Sequence, residues 1–371
     1  MLHSVKKTLA GALLISAASL SAATISFTTK KLAAGSSPTA VQVADFNGDG
    51  APDIAVANFT SPYGVTVLLD GALGTQKFTP LSIGVDRFTT GDFNRDGHTD
   101  IVMLNVFSDT LTFLQGNGDG TFTPGTPFVA GDVPYGVVTG DFNGDGIADL
   151  AVSIFGSAFN GVQVFLGNGD GTFQAPINLT INTRGGDTNS LATGDFNGDG
   201  FLDLAVTVSS SDFIQIALGN GDGTFTLGST ITLPQRNGPE GIVVADFNKD
   251  ARSDIAVVTL NGGVFVALGH GDGTFGTPAQ YPVASPTTSG ISIGDFNLDG
   301  KTDIAVSEGT SAGEISILPG NGDGTFGAAV NFAAGGKTPN SIVTTHLNKD
   351  NKPDLVVATN ASVSVLYNTT P

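Results

Sequence analysis

Short apolar runs, four to eight residues long, recur along the chain between segments rich in Gly, Asn and Asp. Gly241-Ile242-Val243-Val244-Ala245 stands before one polar loop, and Asp53-Ile54-Ala55-Val56-Ala57 and Asp149-Leu150-Ala151-Val152 follow two others. A third, alternating segment comes next, as in Gly161-Val162-Gln163-Val164-Phe165-Leu166. Runs of this length and β-branched content, bounded by turn residues, predict strands, and no segment carries the 3.6-residue period of a helix. A second polar phrase, Gly116-Asn117-Gly118-Asp119-Gly120-Thr121-Phe122, returns with Phe173, Phe225, Phe275 and Phe326 at its end. Its Asn-Gly and Asp-Gly pairs adopt positive φ at little cost and predict tight hairpins. A weaker fourth strand follows each, for instance Phe173 to Ile181.

The first polar loop sets the period. Asp45-Phe46-Asn47-Gly48-Asp49-Gly50-Ala51-Pro52-Asp53 returns from Asp92, Asp141, Asp195, Asp246 and Asp295, and in degraded form from His346, at steps of 47, 49, 54, 51, 49 and 51 residues. A period near 50 marks an array of units, each too small to bury its own core. Four antiparallel strands in each of seven units predict an all-β, seven-bladed β-propeller over residues 24–371. The seventh unit stops at Tyr367-Asn368-Thr369-Thr370-Pro371, after its third strand, and Ile25-Ser26-Phe27-Thr28-Thr29-Lys30 supplies a spare one. The N-terminal strand is therefore expected to complete the last blade and close the ring, which removes two exposed sheet edges.

Composition narrows the function. The chain has 371 residues, no Cys, 15 Lys+Arg against 34 Asp+Glu and a net charge of -19. Zero Cys excludes disulfides, thiolate nucleophiles and thiolate metal sites. So acidic a surface excludes a nucleic-acid partner, which needs a basic one. Lys6 and Lys7, the apolar run Leu9 to Leu20 and the small residues Ser21-Ala22-Ala23 describe a secretory signal peptide over residues 1–23. A secreted or periplasmic protein, monomeric and with no membrane span in its mature chain, is expected.

The nine-residue loop carries the chemistry. Carboxylates fall at positions 1, 5 and 9, an amide at 3 and Gly at 6. Alternating oxygen donors ahead of a Gly let a loop curl round one cation, and Ca²⁺ accepts 6–8 oxygens where zinc seeks imidazole or thiolate. The candidate ligands are Asp45, Asn47, Asp49 and Asp53; Asp92, Asn94, Asp96 and Asp100; Asp141, Asn143, Asp145 and Asp149; and Asp195, Asn197, Asp199 and Asp203. Units five and six add Asp246, Asn248, Asp250, Asp254, Asp295, Asn297, Asp299 and Asp303. The seventh retains only Asn348, Asp350 and Asp354, because His346 replaces the first carboxylate, so it is expected to be the weakest of six or seven calcium sites. Ala251 and Asn351 stand where the other loops have Gly, a position expected to need a left-handed backbone. These loops hold twenty of the 34 acids, a density of like charge that bound Ca²⁺ would relieve.

The DFNGDGxxD loops, the Ile-Ala-Val or Leu-Ala-Val runs after them and the GNGDGTF turns resemble the FG-GAP/VCBS repeats of integrin α-subunit propellers and of many exported bacterial proteins. The resemblance covers Thr24 to Pro371. It implies a calcium-stabilised seven-bladed propeller, with the ligand set above and a failed match at His346. Its members include adhesion proteins, lectins and polysaccharide lyases, so the fold does not fix function.

The blade order puts the acidic loops and hairpin turns on one face of the disc and connections that differ from unit to unit on the other. Thr60-Ser61-Pro62-Tyr63, Asp86-Arg87-Phe88, Asp132-Val133-Pro134-Tyr135, Arg184 to Asp187, Arg236 to Glu240 and Lys337 to Asn340 are the candidates for recognition. A binding or adhesion module for an extracellular protein or surface glycan is expected. A lectin is the alternative, weakened by the absence of Trp, and a polysaccharide lyase or hydrolase the second. His98, His270 and His346 each fill a repeat slot, so an enzyme is not expected. A carboxylate–Arg site of Asp187, Glu240, Arg184 and Arg236 is the one catalytic or sugar-acid arrangement on offer.

Overall fold

The computed structural model describes residues 24–72, 75–156, 159–234, 236–285 and 288–371; the expected signal peptide lies outside them. Seven antiparallel sheets form, each running outward from an innermost strand. The first blade is Pro38–Ala44, Asp53–Asn58, Gly64–Leu68 and Gln76–Pro80 in that order. The last comprises Pro339–Thr345, Asp354–Thr359, Ser362–Asn368 and, as its outer strand, Phe27–Leu32. Phe27 pairs with Asn368 and Leu32 with Val363, so the N-terminal strand does close the ring. It starts two residues later than the sequence suggests. Ile25 packs into the hydrophobic seam and Ser26 binds the C-terminal Thr369 and Thr370 instead.

The second strand of each blade is buried, as in Asp53–Asn58 and Asp303–Glu308, save for Phe155 at the end of Asp149–Phe155, and this explains its unbroken apolar run. Seven hydrophobic clusters lie between consecutive blades, and one of them joins Val41, Ile54 and Val56 to Leu347, Val356 and Val365 across the seam. Burying each such side chain contributes roughly 1.5–3 kcal/mol, so neighbouring blades stabilise one another as a repeat array requires.

Two departures from regularity stand out. The outer strand of the second blade is split into Phe122–Pro124 and Phe128–Val129, and in the third, fifth and sixth blades Phe173, Phe275 and Phe326 likewise form isolated bridges ahead of the outer strand. Six innermost strands carry a one-residue bulge near their start, as between Pro38 and Val41, whereas Arg87–Gly91 pairs regularly with Asp100–Leu104.

Candidate functional site

The first six acidic loops each fold round their first carboxylate. In the first unit Asp45 accepts the amides of Asn47, Gly48, Asp49 and Gly50 at 2.7–3.2 Å. Asp49 accepts the Ala51 amide and the Asn47 side chain, which hold its carboxyl below the usual range. The ninth residue behaves differently. Asp53 is fully buried: one oxygen accepts the Phe46 amide at 3.0 Å and the other the Asp70 amide at 2.8 Å. This strut recurs in every blade. Burial is the chief cause that pushes the Asp53, Asp149, Asp203, Asp254 and Asp354 carboxyls up, Asp100 to about 6 and Asp303 to about 7.

The chemistry of the donors suits a hard cation, since they are all oxygens and a carboxylate oxygen accepting one N–H keeps a second lone pair. Among the described residues, though, no three acidic or His side chains draw together into a metal-holding group. The seventh loop lacks the central carboxylate, and only the bonds made by Asn348, Asp350 and Asp354 remain in it. Left-handed φ is found at Ala251 (64°) and Asn351 (60°), and also at the fourth loop position in Arg95, Lys249, Leu298 and Lys349, where Gly48, Gly144 and Gly198 stand in the other loops. Two of these side chains reach the next loop: Arg95 donates to the Gly146 carbonyl at 3.1 Å and Lys249 to that of Gly300 at 2.8 Å.

A second use of the repeated phrases is invisible in their spacing. The Phe after each first Asp meets the Phe ending the next blade's hairpin turn, edge to face. Phe46–Phe122, Phe142–Phe225 and Phe247–Phe326 stand 5.5–5.7 Å apart. Above each pair a turn Gly amide donates to the Phe carbonyl, as from Gly120 to Phe46 at 3.0 Å. At the seam other residues fill these roles. Phe27 packs against Phe296, and Asn368 and Thr370 donate to the Phe296 carbonyl at 3.0 Å.

The opposite face opens into an axial cavity of about 630 Å³, lined by the starts of the innermost strands. Asp86, Arg87, Tyr135 and Glu240 line it, with Phe107 and Leu260 at its rim. The Arg87 guanidinium lies 4.1 Å above the Tyr135 ring centre. Glu240 accepts from Asn189 Nδ2 at 2.7 Å, and burial pushes its carboxyl up against the pull of Asn189 and Arg87. The expected carboxylate–Arg site does not assemble as a unit. Arg184 lies over Phe213, and the Arg236 amide binds Asp212, while the cation near Glu240 is Arg87. Each His stays in its repeat slot; the His98 amide, for example, binds Asp96 within its own loop.

A model of FG-GAP-like repeats matches residues 92–152, 153–206, 195–257, 246–306 and 295–357, and one of the FG-GAP repeat matches 37–68. No curated protein matches the chain. Among solved structures it is similar to BBS1N in complex with ARL6DN, in crystals soaked with lead (12% identity, TM-score 0.63, 94% of this chain and 97% of that one) and with mercury (13%, 0.62, 91% and 94%). At these identities the likeness concerns the fold.

Proposed function

The chain belongs to the FG-GAP repeat family, and we propose that it is an exported, calcium-stabilised propeller that binds a protein partner through the face opposite its acidic loops. The observation that carries this reading is the apolar surface of that face. Phe107 is 80% exposed, its ring tilted against that of Phe59 at 5.9 Å, and Tyr63, Phe155 and Leu260 stand exposed on the same side. Exposed aromatics on loops that differ from blade to blade are suited to recognition on a rigid scaffold. The similar BBS1N propeller, crystallised with a protein partner, supports the same mode.

A glycan partner is the weaker reading, because the Tyr135 ring that would stack on a sugar is covered by Arg87. Catalysis is the weakest reading: Glu240 accepts from Asn189, and His98, His270 and His346 belong to the loops and turns of the opposite face. No helix among the described residues is long and apolar enough to cross a membrane. Calcium enters this reading as a structural ion, bound by the loop oxygens and absent from the recognition step.

A photo-crosslinking residue at position 107 is expected to capture a discrete extracellular protein, and the same residue at position 201, on the acidic face, is expected to capture none. Equal capture from both positions, or specific binding to a glycan array with no protein captured, overturns the proposal.

A further inference from the structure

The third and sixth blades tie their entry to their rim with different groups. In the third, Gln163 Oε1 accepts the Gly131 amide of the incoming connection at 2.8 Å, and its Nε2 donates to Asn178 Oδ1 on the outer strand at 3.1 Å. One neutral amide supplies the acceptor at one end and the donor at the other. In the sixth blade Ser316 stands in the register of Gln163 and Asn331 in that of Asn178. The shorter serine reaches Asn331 Oδ1 at 2.8 Å but comes only within 3.4 Å of the Ala284 amide, and Glu308 Oε1 takes that amide at 3.0 Å. Glu308 comes from a place that holds Asn58, Asn105, Ile154, Val208, Thr259 and Thr359 in the other blades, none of them charged.

Counting protons gives its state. Glu308 and Ser316 are fully buried, and Ser316 Oγ lies within hydrogen-bond distance of two oxygens, Glu308 Oε1 and Asn331 Oδ1. Two such contacts need two protons, and a serine hydroxyl brings one. The other belongs to the Glu308 carboxyl, which donates to Ser316 while Ser316 donates to Asn331. The acid then copies both ends of the Gln163 amide. Glu308 Oε2 has no hydrogen-bond partner among the described residues, so ionisation would leave a charged oxygen without a donor in a sealed site. Glu314, opposite Glu308 on the next strand, adds to that cost, and Lys337 belongs to the connection packed on the turn at Gly313. Residues 282–285 and the strands Thr288–Gly294 and Val330–Ala333 carry no charged side chain. Burial outweighs the pull of Ser316 and of the Ala284 and Ser285 amides and pushes the carboxyl up.

We propose that Glu308 is a proton-operated latch that couples the axial cavity to pH. Protonated, it holds Ala284 to Ser316 and the rim. Ionised, it draws in water and releases the connection leading into Thr288–Gly294, whose Thr288 pairs with Glu308 and whose Thr288, Gly290 and Ile291 line the cavity. The latch is fully closed below the ordinary glutamate value of 4.5 and opens as pH rises through the raised one. The inference rests on the reading of this face as the recognition surface and adds its regulation: one wall of the cavity is ordered only while the proton is held.

Carbon-13 NMR of the full chain labelled at its Glu carboxyls, with calcium in excess, tests it, the Glu308 signal being the one that Glu308→Gln removes. Its midpoint is expected above 4.5, and the amides of Ala284, Thr288 and Gly290 should titrate with it. In Glu308→Gln those amides should not titrate, because the Gln side chain donates to Ser316 at every pH. A midpoint at or below 4.5 would mean that Asn331 turns its amide to donate to Ser316, and it overturns the inference. A raised midpoint with Thr288 and Gly290 unmoved overturns it equally. Crosslinking at position 107 should be stronger at about pH 5 than at about pH 8 in the wild type and equal at both in Glu308→Gln; capture by the wild type that ignores pH overturns the coupling. No capture at either pH, with the titration intact, would remove the recognition reading and leave the latch; capture without the titration would do the reverse.

Discussion

Replacing Asp303 separates two roles that the ninth loop position could play. Its side chain is fully buried; Oδ1 accepts the Gly320 amide at 2.8 Å, and Oδ2 the amides of Phe296 and Asn297 at 2.9 and 3.2 Å. Asp303→Ala leaves three buried donors unpaired. Each costs about 1–3 kcal/mol, so even with partial relaxation the loss should be about 3–6 kcal/mol. That is a large part of the stability of an ordinary domain, about 5–15 kcal/mol. Denaturant unfolding followed by fluorescence of a bound dye, in the presence of a calcium chelator, measures the strut alone. Asp299→Ala is the comparison, because that residue binds amides only within its own loop and sits partly in solvent. Under chelation Asp299→Ala should cost less than about 1 kcal/mol, as a local loop bond does, while Asp303→Ala keeps its full effect. If Asp303→Ala in chelator falls within about 0.5 kcal/mol of wild type, the range of ordinary surface substitutions, the strut argument fails.

The raised carboxyl at Asp303 also fixes the sign of a pH effect. The native state holds that proton up to about pH 7, whereas the unfolded chain releases it near 3.8, so this contribution is full below 3.8 and is lost as pH rises through 7. Unfolding midpoints in chelator should therefore fall from pH 5 to pH 8, and Asp303→Asn should flatten that slope; a midpoint that rises with pH would contradict it. Calcium should raise the melting temperature, and Asp49→Ala should reduce the number of ions bound in calorimetric titration by about one, whereas Asp350→Ala, in the loop without a central carboxylate, should leave that count unchanged. Deleting residues 24–32 should expose the edge of Ser362–Asn368 and convert a monodisperse protein into associating species on size-exclusion chromatography; an unaltered elution profile would refute the closing role of that strand.

The ring itself was legible because it is written seven times: period, strand count and the missing fourth strand can all be read from residue spacing. What escaped was everything that depends on direction. An Asp eight residues after another has the same spacing whether its oxygens face an ion or the amides of Phe46 and Asp70. The Phe pairs join residues far apart in sequence, such as Phe46 and Phe122, in different blades, a partnership that no local pattern encodes. Left-handed backbone at Leu298 and Lys249 contradicts residue preference, because the fold of the loop round its first carboxylate overrides it. The pairing of Arg87 with Tyr135 is a single event between the second and third blades. Repetition, the signal that exposed everything else, could not mark it.

The closing pair of strands has a mechanical consequence. Phe27 lies opposite Asn368 and Leu32 opposite Val363, so both ends of the described chain leave the disc at the same point on its rim. Tension applied between them would load the six rungs one after another, as in peeling tape, and not all at once in shear. A propeller held in this way should open at low force, and one tethered by both ends to the same support would bear no load across the seam at all.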